Sequence, residues 1–131
     1  MKKIGVLNRE LSAVLGAMGH TDLLVVADAG LPVPLTVPCI DLAVVCGLPG
    51  VLDVLRAIAF ELEVEGLTIA DELQAQGNDL PEAFQRCFPG APMGRVSHAE
   101  LKVMSTRARA VVRTGECSPY ANVVLTSGVI F

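Results

Sequence analysis

Two histidines, His20 and His98, are the only side chains of this 131-residue chain whose ordinary titration falls near neutrality. His20 follows "LGAMG", the end of a helical pattern, where the helix dipole is negative and favours imidazolium. Asp22 is close enough in sequence to add to that bias. His98 lies in "RVSHAELK", where Ser97 and Glu100 match a capping box. That places His98 in the first turn of a helix, whose positive end disfavours imidazolium. One ring is therefore biased toward donating a proton and the other toward accepting one. Proton transfer to and from a small polar molecule needs such a pair. Further polar groups have compatible positions. Asp28 ends the apolar run "DLLVVAD", Lys102 comes one helical turn after His98, and the loop "TGECSPYAN" carries Glu116, Tyr120 and Asn122. Spacing alone is also satisfied by plainer roles. These are a polar turn for His20, a turn cap for Asp28, a helix start for His98, a surface position for Lys102, loop packing for Tyr120 and an ion pair with Arg109 or Arg113 for Glu116.

The elements that must hold these residues alternate in type. Apolar residues at helical spacing predict a helix over 9–18, with Asn8 as N-cap and Gly19 as a left-handed stop. The valine-rich run 22–28 predicts a buried strand, and 39–45 a second. Leu52, Leu55, Ala59 and Leu62 share a face, which predicts a helix over 49–62 with Pro49 near its first turn. A strand at 66–71, a helix at 81–88, a helix from Ser97 and a strand at 109–113 follow. The terminal "NVVLTSGVIF" is a last strand. In open α/β sheets ligands bind beyond the carboxyl ends of strands, where Asp28 and the 114–122 loop fall. The pattern predicts one α/β domain over 1–131. It is a single three-layer domain with a mainly parallel, mixed central sheet, the mixed part at an edge formed by the last two apolar runs.

Composition narrows the partners. The net charge of -4 and the absence of Trp argue against nucleic acid. No apolar run reaches the ~18 residues of a membrane span, and Asn8, Arg9 and Glu10 interrupt any signal-peptide core, so the chain reads as cytoplasmic without membrane insertion. Cys39, Cys46, Cys87 and Cys117 form no C-x-x-C pair. They read as buried or idle thiols and supply no metal site. No nucleophile elbow, phosphate-binding glycine loop or HExxH occurs. The chain is 52% hydrophobic and 18% charged, more apolar than one small domain readily hides, so part of that surface is expected to face other subunits.

The stretches "LGAMGHTDLLVVADAGLPVP", "IDLAVVCGLPG", "VSHAELK" and "VVRTGECSPYANVVLTSGVIF" together resemble the D-ribose pyranase family, a relative of the L-fucose mutarotases. The likeness covers nearly the whole chain and is weakest around 72–93. It implies interconversion of the pyranose and furanose forms of D-ribose, without a cofactor or metal. It implies a cytoplasmic homodecamer of two stacked pentameric rings, with sites near subunit interfaces. The family's catalytic histidine falls on His20, and its sugar-contacting positions on Asp28, His98, Lys102, Tyr120, Ala121 and Asn122. Two alternatives share this cradle: a mutarotase for another sugar such as L-fucose, and a non-catalytic sugar-binding accessory of a ribose transporter. The second would need no proton donor.

Overall fold

The computed structural model describes all 131 residues. Asn8 opens the first helix, α1 (Arg9–Ala17), because its side chain accepts the otherwise orphaned N–H of Leu11 at 2.9 Å. The turn after α1 differs from expectation. Gly19 is not left-handed; Thr21 is, at φ 67°. Strand β1 (Leu23–Ala27) then alternates cleanly. Leu24 and Val26 enter a core with α1, α2 (Val51–Ala59) and α4 (Leu80–Cys87). Val25 and Ala27 face α5 (His98–Ser105) on the other side. Three layers result.

The remaining elements are β2 (Cys39–Asp41), β3 (Val64–Ala70), α3 (Asp71–Ala75), β4 (Met93–Val96), β5 (Ala110–Arg113) and β6 (Val123–Ser127). The sheet order is β2-β5-β1-β6-β3-β4. Every pairing is parallel except those of β6 with β1 and with β3. The mixed character is thus central, not at an edge as the sequence suggested. The last two runs do not pair with each other, because β6 inserts between β1 and β3.

Other departures have local causes. The second strand stops at Asp41, whose carboxylate accepts the Ala43 N–H at 3.0 Å and turns the chain. Residues 44–48 then fold back on themselves, with Val44 N–H bonded to Leu48 O and Gly47 left-handed. The helix placed at 49–62 is shorter, and Pro49 lies before its cap, Gly50. α3 and β4 were not anticipated: each is short, and β4 exposes its two central residues, so neither leaves a strong apolar period.

The 44–48 turn packs directly on the loop after β5. Gly47 N–H donates to Gly115 O at 2.6 Å, and Gly115 N–H to Pro49 O at 2.8 Å. Cys46 and Cys117 are joined here as a disulfide with Cα atoms 5.8 Å apart, whereas Cys39 and Cys87 are free. A Cβ at Gly115 would lie 2.5 Å from the carbonyl oxygens of both Val45 and Leu48. Gly115→Ala is expected to destabilise the fold by about 1–3 kcal/mol, because backbone on both sides must move. Urea unfolding of the variant checks this; an unchanged midpoint would show that the two loops separate freely.

Candidate functional site

One end of the sheet collects most of the polar residues singled out above. β1 and β5 finish there, antiparallel β6 starts there, and β3 leads there into α3. A cleft of about 470 Å³ opens at this end, between the 28–32 loop, the 116–120 loop and the first two turns of α5. Asp28, His98, Lys102 and Tyr120 all line it.

Asp28 is fixed by a reciprocal pair with Asn122. Asp28 N–H donates to Asn122 Oδ1 at 2.9 Å, and Asn122 Nδ2 donates to Asp28 Oδ2 at 3.0 Å. Its other oxygen accepts the Gly30 N–H at 2.9 Å and bends the loop around the cleft. Asn122 is fully buried, and its side-chain amide holds the Asp28 carboxylate. Ala121 is also fully buried, and neither residue lines the cleft.

His98 is carried by the predicted capping box: Glu100 N–H bonds Ser97 Oγ at 3.1 Å, and Ser97 N–H bonds Glu100 Oε2 at 2.9 Å. Its own N–H donates to Glu72 Oε2 at 2.8 Å, which ties α5 to α3. The ring meets Tyr120 edge-on, centroids 5.0 Å apart and planes at 78°. Nδ1 is buried without a partner, which leaves Nε2 as the ring atom open to the cleft. Tyr120 is one of two non-glycine residues with positive φ, at 61°. Such a conformation is unfavourable for a bulky residue and persists only where neighbours over-determine it. Here it turns the phenol toward His98.

Glu116 belongs to the cleft although its spacing gave it no distinct role. Burial raises its carboxyl, but hydrogen bonds from Ser118 Oγ, from Ser118 N–H and from the N–H groups of Val51 and Cys117 outweigh that. They hold it below the usual glutamate range. Ser118 Oγ donates at 2.8 Å and Val51 N–H at 3.3 Å. Glu116 thereby ties the cleft loop to the start of α2. Arg113 performs a similar service for the opposite loop, donating to Ala29 O at 3.0 Å while pairing with Asp41.

His20 is not in this cleft. It precedes β1, whereas Asp28 follows it, and the five residues of β1 alone span about 16 Å. The expected helper Asp22 is occupied elsewhere. The Arg109 side chain at 2.9 Å and the Gly19 N–H at 2.8 Å hold its carboxyl below the ordinary range. The partner of His20 is Glu65, with Nε2 and Oε2 2.9 Å apart. Sequence spacing carried no sign of this, since the two residues lie 45 positions apart.

No helix is long and apolar enough to cross a membrane. Comparison with known proteins gives a consistent picture. A D-ribose pyranase of Laribacter hongkongensis is 50% identical over 131 residues, covering the whole of both chains. One of Geobacillus kaustophilus is 47% identical over the whole of this chain and 96% of its own. The structure of Bacillus subtilis RbsD complexed with D-ribose matches with a TM-score of 0.95 at 43% identity, covering all of both chains. The fucose mutarotase of Streptococcus pneumoniae, solved with L-fucose, shares the fold at a TM-score of 0.75 and 22% identity over the whole of both chains. The model of the RbsD / FucU transport protein family matches residues 1–130, and the chain belongs to that family.

Proposed function

We propose that this protein is a D-ribose pyranase, an isomerase that interconverts the pyranose and furanose forms of D-ribose by acid–base ring opening and closure. The observation that carries this reading is the convergence of Asp28, His98, Lys102 and Tyr120 on one cleft. A carboxylate, an imidazole and an ammonium are suited to sugar hydroxyls, and an aromatic ring to a sugar face. The ribose-bound relative of the same fold and the curated pyranases at up to 50% identity support the choice of sugar.

The chemistry asks little of the protein. A cyclic hemiacetal opens when the anomeric hydroxyl loses a proton and the ring oxygen gains one. The free aldehyde then closes through the hydroxyl one carbon away. No covalent intermediate is needed, and positioned acid–base groups supply about 10²–10⁴-fold. His20 is the proton donor. Asp28, His98, Lys102 and Tyr120 hold the sugar, Asn122 orients Asp28, and Ala121 packs behind them. His98 Nε2 and the Asp28 carboxylate are the two candidates for the acceptor.

Because β1 separates His20 from the cleft of its own chain, His20 serves the cleft of another copy. The protein works as a cytoplasmic homo-oligomer, a decamer of two stacked pentameric rings, with its sites at subunit contacts. Exposed apolar side chains support such contacts: Val44, Val45 and Leu48 on the turn beside the cleft loop, Phe60 after α2 and Val103 on α5.

Magnetisation-exchange NMR on equilibrated D-ribose tests the activity without a coupled assay. The protein is expected to accelerate transfer between pyranose and furanose signals at catalytic concentration. The family's description as transport proteins favours one second reading, a sugar-binding accessory. Ribose binding without accelerated exchange would establish that reading and overturn the first.

A further inference from the structure

We propose that Glu65 is the positioning residue of His20. It accepts the Nε2 proton, fixes the ring plane and leaves Nδ1 as the atom that exchanges a proton with the sugar. This rests on the reading of His20 as proton donor and adds to it the partner and the reacting atom.

The contact itself is a 2.9 Å approach between His20 Nε2 and Glu65 Oε2. An ionised carboxylate only accepts, so Nε2 carries the hydrogen in this pair, and the free ring position is Nδ1. Neutral His20 then presents Nδ1 as an acceptor, and protonated His20 presents Nδ1–H as a donor. One ring atom can give and retrieve the proton while the other stays anchored. Both side chains are partly exposed, at 55% and 42%, and an ordinary surface pair of this kind contributes little.

Two irregularities of the backbone set this pair apart. Val64 pairs with Ser127 and Gly66 with Thr126, so Glu65 is the extra residue of a β-bulge in β3. Bulges re-aim a side chain out of the regular alternation. On the facing side, Thr21 adopts φ 67°, an unfavourable conformation for a β-branched residue. Thr21 N–H donates to Ser127 O at 2.9 Å, and its hydroxyl donates to His20 O at 2.6 Å. Both irregularities therefore border the same residue of β6, Ser127, and from its two sides deliver His20 and Glu65 to each other. Gly128 follows at once, where a Cβ would approach Glu65 Cβ to 3.1 Å. The local backbone is shaped around this contact rather than around the sheet.

The test compares Glu65→Ala and Glu65→Gln with the wild-type oligomer. In Glu65→Ala the ring-exchange rate at saturating ribose is expected to fall roughly 10- to 100-fold, with ribose affinity within about twofold. Glu65→Gln keeps an acceptor oxygen of the same reach and is expected to recover several-fold of that loss. In ¹⁵N-histidine-labelled protein, the proton on His20 Nε2 should resonate downfield and move upfield, or be lost to solvent exchange, in Glu65→Ala. Glu65→Ala exchanging within about twofold of wild type would overturn the proposal, as would an unaltered Nε2 proton. A loss expressed only as weaker ribose binding would do the same. Wild-type protein that failed to accelerate exchange would instead overturn the pyranase reading, and the Nε2 signal would still decide whether Glu65 holds the ring.

Discussion

Mixed oligomers of His20→Ala and Asp28→Asn subunits are expected to regain the ring interconversion that each variant lacks alone. The two residues lie at opposite ends of β1, and a pentose is far smaller than the strand that separates them. If a site takes its proton donor from one copy and its cradle from another, some sites in a mixture combine two intact halves. Each single variant should be strongly impaired. His20→Ala removes the donor. Asp28→Asn keeps one acceptor oxygen where the carboxylate has two, so its amide nitrogen must face a donor, either Asn122 Nδ2 or the Gly30 N–H. Random assembly of equal amounts should restore about a quarter of the wild-type sites, since half the donors and half the cradles are intact. Co-expressed subunits with distinct tags, purified through both, provide the material, and magnetisation exchange provides the readout. Mixed particles as inactive as the parents would mean that no site is shared between copies.

His20→Ala by itself should separate chemistry from binding. Loss of a positioned acid is worth about 10²–10⁴-fold in rate. The groups expected to hold the sugar all lie at the other end of β1 and keep their partners in the variant. Ribose affinity should therefore change by less than tenfold, about 1.4 kcal/mol. Ribose titration by calorimetry beside the exchange measurement checks both numbers. An unchanged rate would remove His20 from the mechanism; an affinity loss far beyond tenfold would make it an anchor.

Features that depend on neighbouring residues were legible in the sequence. The Ser97–Glu100 capping box and the Asn8 cap are contacts within a few positions, and the apolar run of β1 is equally local, so their physics is complete within a short window. Asp28, His98, Lys102 and Tyr120 were traceable too, because strand ends and helix starts in an α/β sheet gather at one side. Features set by strand order were not legible. The central place of β6, the distance of His20 from the cleft and the replacement of Asp22 by Glu65 all follow from which strands become neighbours. Glu65 was hidden twice over, by a separation of 45 positions and by a bulge that removes it from the regular period. Glu116 stood in plain view among the polar loop residues, but its part in tying the loop to Val51 and Ser118 depends on α2 arriving beside it.

The antiparallel strand at the middle of the sheet also bears on how the chain is made. β6 comes after all the other strands in the sequence, yet β1 and β3 both hydrogen-bond to it. Until residues 123–127 have left the ribosome, the sheet exists at most as two separate ribbons, β2-β5-β1 and β3-β4. β1 and β3 then each present an edge with no partner, the kind of edge that recruits strands from other chains. The two halves can therefore be sealed only after the last strand becomes available, and the nascent protein depends until then on whatever shields those edges.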